Sequence, residues 1–124
     1  MFKILEKRQL SNDVFYMKIT APEIARNRKA GQFIIVQIDT EFGERVPLTI
    51  ADACEKVAAL LGPLGNPSIV EKKDAPVVIV GGGIGVAPCY PIVQAHKEIG
   101  NKVIVIMGAR NKDLLIFKEE MEAA

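Results

Sequence analysis

The sequence predicts two unlike halves. The first, ending near residue 61, is a β-rich segment of the kind that makes a small barrel or sandwich. The second, residues 76–124, is an α/β unit whose parallel sheet is incomplete. Three observations carry this prediction. Short alternating runs separated by turn formers occupy the first fifty residues. Four β-branched residues, Val77, Val78, Ile79 and Val80, run without a polar break into Gly81, Gly82, Gly83 and Gly85, with Pro88 just beyond. A second apolar run over residues 103–107 follows a helical stretch, which is the order of a parallel strand–helix–strand unit.

In the first half, residues 2–9 alternate weakly from Phe2 and Ile4, and Ser11-Asn12-Asp13 is a turn cluster. Residues 14–20 alternate again, with Phe15, Met17 and Ile19 on one face and Tyr16 and Lys18 on the other. Pro22 suits the start of one helical turn over residues 21–25. Lys29-Ala30-Gly31 turns the chain into a strand over residues 32–39, built on Phe33-Ile34-Ile35-Val36. Glu41-Phe42-Gly43-Glu44 reads as a hairpin loop, and residues 46–50 as a further strand. Over residues 54–61 the spacing of Val57, Leu60 and Leu61 is helical. Gly62-Pro63-Leu64-Gly65-Asn66-Pro67 is dense in turn formers, so residues 62–75 read as a linker between domains of residues 1–61 and 76–124.

In the second half, a strand over residues 76–80 leads through the glycine turn to a helix from about residue 88 to Ile99, stopped by Gly100-Asn101. After the next strand, Asn111 is placed to cap a last helix through about Met121, with Asp113 in its first turn. Two strands and two helices make only part of a parallel unit, which needs strand neighbours and cover on both faces. The expectation is that another chain completes it or that the sequence is a portion of something larger. His96 is expected to be a partly exposed helix residue, and the cluster Glu71-Lys72-Lys73-Asp74 a solvated loop.

Composition narrows the function classes. The chain has 124 residues, 16 basic and 15 acidic, and a net charge of +1, with no basic block to neutralise a nucleic-acid backbone. Its apolar runs are too short to span a bilayer, and its charged first residues do not form a signal peptide. Cys54 and Cys89 make no disulfide framework, which fits a reducing cytoplasm. Two cysteines and one histidine cannot supply four thiolates for an iron–sulfur cluster or an ordinary zinc site.

The glycine turn carries the strongest chemical signal. Glycines let the backbone come close to a ligand, and free N–H groups at a helix start attract negative charge, so this segment is read as a nucleotide or phosphate cradle. Its pattern is Gly-Gly-Gly-x-Gly-x-Ala-Pro, with Ala87 and Pro88 at its end. The commoner G-x-G-x-x-G template would need glycine where Val86 stands. Upstream, Arg45-Val46-Pro47-Leu48-Thr49-Ile50 gathers a cation for a pyrophosphate, a flat apolar pair for an aromatic ring, and a hydroxyl for a ring nitrogen. Cys89, beside the helix start, reads as a small packing residue rather than a reactive thiol.

Taken in order, Arg-x-Pro-Leu-Thr, Gly-Pro-Leu-Gly and the strand with Gly-Gly-Gly-Ile-Gly-Val-Ala-Pro resemble the ferredoxin–NADP reductase superfamily. Within it they are most similar to the small electron-transfer subunits of bifurcating ferredoxin–NADP oxidoreductase (also known as sulfide dehydrogenase) and of dihydroorotate dehydrogenase. Gly108-Ala109-Arg110-Asn111-Lys112-Asp113-Leu114-Leu115 is similar to that group as well. The resemblance implies an FAD-binding barrel, here shortened, followed by a shortened NAD(P)-binding α/β unit. It implies that Arg45 contacts the FAD pyrophosphate and that Pro47, Leu48 and Thr49 line the isoalloxazine. Gly81, Gly82, Gly83 and Gly85 would approach the nicotinamide dinucleotide pyrophosphate, and Gly108 and Arg110 would sit near the adenosine ribose.

The superfamily's usual arginine lies three positions before the Ser/Thr; here Val46 stands there, and the arginine is one residue earlier. The family's further barrel strands, later α/β strands and cluster cysteines have no counterpart in this sequence. The implied function is an electron-transfer subunit that moves electrons between NAD(P)H and FAD and on to a larger flavin or iron–sulfur partner. It needs no acid–base catalytic residue. Arg110 suits the 2′-phosphate of NADP, and the similar subunits include NAD users, so either cofactor fits. The alternative is a truncated, non-catalytic nucleotide-binding or assembly module, with self-association as its signature.

Overall fold

The computed structural model describes residues 2–37, 44–51 and 61–124. Strands β1 (Ile4–Ser11) and β2 (Val14–Ile19) form an antiparallel hairpin closed tightly by Asn12-Asp13, with Ser11 opposite Val14. Helix α1 (Pro22–Asn27) starts on its proline, whose missing N–H costs nothing at a helix start. Strand β3 (Phe33–Gln37) then lies between β4 (Arg45–Thr49) and β5 (Leu61–Leu64) in an antiparallel sheet. Ala21, Ile24, Ile34 and Ile50 form the buried core of this half, and Ile19, Val36 and Leu48 pack on it. Among the described residues the β-rich half is therefore two small sheets around one core.

Strand β5 departs from the sequence reading, which took Gly62-Pro63-Leu64 for a loop. A proline cannot donate to a ladder and is tolerated in a strand only at a sheet edge, and β5 is an edge strand. Gly62 is needed for its close approach to β3: a Cβ there would lie 2.7 Å from Ile34 Cγ2 and 3.2 Å from the Phe33 carbonyl oxygen. Pro47 occupies the opposite edge strand, β4, facing Ile35 of β3. The predicted strand end at residues 38–39, most of the hairpin loop around Phe42, and the helical stretch over residues 54–60 lie outside the described residues.

In the second half, β6 (Val77–Gly82) and β7 (Val103–Gly108) pair in parallel from Val77 opposite Val103 to Gly82 opposite Gly108. Helix α2 (Val86–Glu98) crosses one face, where Val86 and Val93 are buried and Ile79, Val103, Val105 and Met107 pack against them. Because side chains alternate along a strand, Val78, Val80, Ile104 and Ile106 share the other face. They are 43% to 69% exposed, so this sheet has one covered and one bare face. A parallel sheet is expected to be covered on both.

The two halves are packed together. Leu10, Val14 and Tyr16 of the hairpin lie on the second core, which also contains Ile116, Phe117 and Met121. Arg8 Nη2 reaches Glu120 Oε1 at 3.4 Å. The side of β2 carrying Val14 and Tyr16 thus turns toward the α/β unit, whereas Phe15 and Met17 are exposed.

Three local expectations are corrected. Helix α2 begins at Val86, and Pro88 is its third residue rather than its start. Asn111 caps a 3₁₀ turn, Lys112–Leu114, by accepting from the Leu114 N–H at 3.1 Å; helix α3 (Lys118–Ala123) starts only after Phe117, whose φ is 59°. His96 is buried, at 5% exposure, because Asn101 folds back onto it beyond the helix end. Among the described residues no helix is long and apolar enough to cross a membrane.

Candidate functional site

Gly81 and Gly82 end β6, and a single 3₁₀ turn, Gly83–Gly85, delivers the chain into α2. Gly83 has φ of +54°, a left-handed value that strongly favours glycine. The first turn of α2 holds no acidic residue, so the positive end of the helix is not neutralised by its own side chains.

The glycines divide by what a side chain would meet. At Gly81 a Cβ would lie 3.1 Å from Val86 Cα and 3.2 Å from Cys89 Sγ, so this glycine lets α2 sit against β6. At Gly83, Gly85 and Gly108 a Cβ would meet nothing within 4 Å, and at Gly82 only the Gly108 carbonyl at 4.0 Å. Packing does not demand glycine at Gly85 or Gly108. Their bare backbones leave open the space at the carboxyl ends of the two parallel strands, the position where open α/β sheets take ligands.

Cys89 faces inward beside this turn. Its Sγ donates to the Gly85 carbonyl at 3.2 Å and lies 3.9 Å from the Val80 carbonyl. Burial pushes the thiol above its ordinary range despite the helix start. A neutral thiol packed against Gly81 agrees with the packing role expected from the sequence.

On β4 the two-residue period puts Arg45, Pro47 and Thr49 on one side, and Leu48 packs inward on the first core. Arg45 sits at the opposite end of the strand from Thr49, and its Nε donates to Gln37 Oε1, its cross-strand neighbour, at 3.3 Å. It borders none of the three cavities that follow.

These cavities join the halves. One of about 260 Å³ is bordered by Pro47, Leu48 and Thr49 from β4 and by Ile84, Ala87, Ile116 and Phe117 from the α/β unit. Pro47, Leu48 and Thr49 also border a second, of about 340 Å³, closed on the other side by Pro88. Ile84 and Ile116 continue into a third, of about 550 Å³, bordered by Gly83, Gly108 and Arg110. The structure thus brings Pro47, Leu48, Thr49, Ala87 and Pro88 together, and separately Gly83, Gly108 and Arg110, in neighbouring cavities between the halves. Gly81, Gly82 and Gly85 shape the turn beside them.

Sequence reasoning missed Ile84, Ser11 and Phe117. Ile84 had a signal, a lone aliphatic residue between Gly83 and Gly85, and in the structure it is exposed. Ser11 and Phe117 reach the cleft only through the packing of the hairpin and α3 on the second core.

Comparison with known proteins bears on the fold. Residues 79–124 match the family described as oxidoreductase NAD-binding domain. A solved structure of the NADH-dependent reduced ferredoxin–NADP oxidoreductase, reported for its bearing on flavin-based electron bifurcation, superposes with a TM-score of 0.84 at 34% identity. It covers 95% of this chain and 51% of that one. A cytochrome P450 reductase from Amycolatopsis, at 20% identity and a TM-score of 0.77, supports the fold alone. The chain therefore has a ferredoxin reductase-like fold, a β-rich FAD-barrel-type half followed by an NAD-binding oxidoreductase unit.

Among curated proteins it is 34% identical to the "Dihydroorotate dehydrogenase B (NAD(+)), electron transfer subunit homolog" of Thermotoga maritima, over 97% of this chain and 51% of that protein. It is 41% identical to an uncharacterized protein of Clostridium beijerinckii, over all of this chain and 52% of that protein. The chain thus spans about half the length of these relatives. The latter alignment runs over 156 positions, so the relative also carries internal segments without a counterpart here.

Proposed function

We propose that this chain is the pyridine-nucleotide-facing part of a flavoprotein electron-transfer unit. In this reading the β-rich half, residues 1–61, holds FAD, and residues 76–124 hold NAD(H) or NADP(H). Electrons pass between the two cofactors and on to a larger flavin or iron–sulfur partner. The observation that carries it is the cavity shared by Pro47, Leu48 and Thr49 with Ile84 and Ala87, next to one bordered by Ile84 with Gly83, Gly108 and Arg110.

The residues present fit both cofactors. Pro47 offers an apolar surface to a flat ring, with Leu48 backing the strand from the first core, and the exposed Thr49 offers a hydroxyl to the ring's polar edge. The open backbones of Gly83, Gly85 and Gly108, with the unneutralised start of α2, suit a pyrophosphate. Arg45 is exposed and tied only to Gln37 in the described hydrogen bonds, and we assign it to the flavin pyrophosphate. FAD held beside Pro47, Leu48 and Thr49 would supply the redox chemistry, accepting hydride and passing on single electrons; the protein supplies position and electrostatics. With two cysteines in the sequence, we place no iron–sulfur cluster on this chain. The relatives' names support a redox role, and we place the chain in a reducing compartment such as the cytoplasm on its two cysteines.

The test is reconstitution with FAD followed by anaerobic addition of NADH or NADPH. A yellow protein whose flavin band bleaches supports the reading, and a colourless protein that takes up no FAD overturns it. The bare face of Val78, Val80, Ile104 and Ile106 favours a second reading, a non-catalytic nucleotide-binding or assembly module that self-associates. A monodisperse monomer that bleaches on NADH addition rejects that alternative.

A further inference from the structure

Ser11 is the last residue of β1, on the hairpin that packs against the α/β unit. Its Oγ is buried and, alone among the buried side-chain nitrogens and oxygens of the described residues, has no hydrogen-bond partner. A buried hydroxyl without a partner is unfavourable, and native structures keep few of them. Ser11 borders the cleft that holds Gly83, Gly108 and Arg110. It also borders the adjoining cleft, where Asp13 and Asp113 lie. A serine has three staggered side-chain positions, so one rotation about a single bond redirects the hydroxyl.

We propose that the Ser11 hydroxyl is a specificity contact from the β-rich half, hydrogen-bonding a ribose hydroxyl of the pyridine dinucleotide. The proposal rests on the reading of this cleft as the nucleotide site. The two neighbouring carboxylates favour a sugar hydroxyl over a phosphate at this point, and Ser11 can donate to or accept from such a group. The hairpin, which belongs to the flavin-side half, then takes part in selecting the nucleotide. Its packing through Leu10, Val14 and Tyr16 onto the second core sets the position of the contact.

The experiment compares the full chain with Ser11→Ala by calorimetric titration of NADH and of ADP-ribose, which keeps the ribose–phosphate part and lacks the nicotinamide. The melting temperature of the unliganded proteins is measured alongside. The expected result is a loss of about 3- to 10-fold in affinity for both ligands, the size of one neutral hydrogen bond. The loss is equal at low and high salt because the contact is uncharged. Unliganded Ser11→Ala melts at the same temperature or higher, since an unsatisfied buried hydroxyl has been removed. A merely structural serine would give the opposite sign in melting. Unchanged affinity in Ser11→Ala, or a lowered melting temperature, overturns the proposal while leaving the nucleotide site standing. Failure of the unaltered chain to bind either ligand overturns the site and the proposal together.

Discussion

His96 Nδ1 lies 2.8 Å from Asn101 Nδ2, and both residues are 95% buried, which joins α2 to the segment before β7. Asn101 is fully used: its Oδ1 accepts from the Lys73 N–H at 2.9 Å, and its Nδ2 also donates to the Glu71 carbonyl at 2.8 Å. The amide nitrogen is therefore the donor to His96, so His96 carries its proton on Nε2. Lys72 Nζ adds a bond to the Gly100 carbonyl. Asn101→Ala removes three bonds and leaves a buried ring nitrogen unpaired, at a cost of about 2–3 kcal/mol. The expected outcome is a lower urea midpoint with unchanged m, and a ¹⁵N spectrum of the unaltered protein showing the Nε2–H tautomer.

The glycines separate fold from binding. Gly81→Ala forces a Cβ against the backbone of α2 at Val86 and lowers stability by about 1–3 kcal/mol. Gly108→Val places its side chain in open space, so stability changes by no more than about 0.5 kcal/mol. The same side chain fills the end of the cleft, and NADH affinity drops on the order of tenfold, equivalent to about 1.4 kcal/mol. Thermal melts and NADH titrations of the two variants, run in parallel, check the crossed pattern. Equal stability losses would reject it.

Cys89 is expected to be inert at neutral pH. Burial raises its thiol above the ordinary value of 9.0, and its S–H already donates to the Gly85 carbonyl. The unfolded chain loses this proton at lower pH than the folded one. The stabilising contribution of the buried neutral thiol is therefore complete below the ordinary thiol range and declines as pH rises through it. Iodoacetamide labelling followed by peptide mass mapping, which separates Cys89 from Cys54, should show slow modification of Cys89 at pH 7.5 and acceleration only in alkali. Rapid modification at neutral pH would contradict this account.

The bare sheet face makes a further prediction. Val80 and Ile106 are opposite one another in register and 69% and 53% exposed. Replacing both with threonine keeps β-branched side chains and leaves the fold intact, with stability changed by no more than about 1 kcal/mol. Any self-association of the chain should fall, as read by sedimentation velocity. A single lysine at Val80 should act more strongly in the same direction. An association constant that neither change moves would show that this face is not the one that associates.

Much of this molecule is local and was legible in the residues. Period-two alternation marked β1 and β2, and unbroken apolar runs marked β3, β6 and β7, because each pattern records how a strand's sides are covered. The glycine turn and the helix after it follow from backbone freedom and proline geometry within a few residues. The Arg-x-Pro-Leu-Thr segment read as a strand from residue 46, and the structure tolerates Pro47 there because β4 is an edge strand.

What remained hidden depended on partners distant in sequence. Leu61–Leu64 became a strand because β3, about 28 residues earlier, offers a free edge that tolerates Pro63. His96 was buried by Asn101, beyond the end of its own helix. By itself the sequence determined where a phosphate-sized space could open, since glycine and helix-start chemistry are properties of adjacent residues. Only the tertiary structure decided that Thr49, Ile84, Arg110 and Ser11 border neighbouring cavities that share Ile84, because packing the hairpin on the second core is a long-range arrangement that no periodicity encodes.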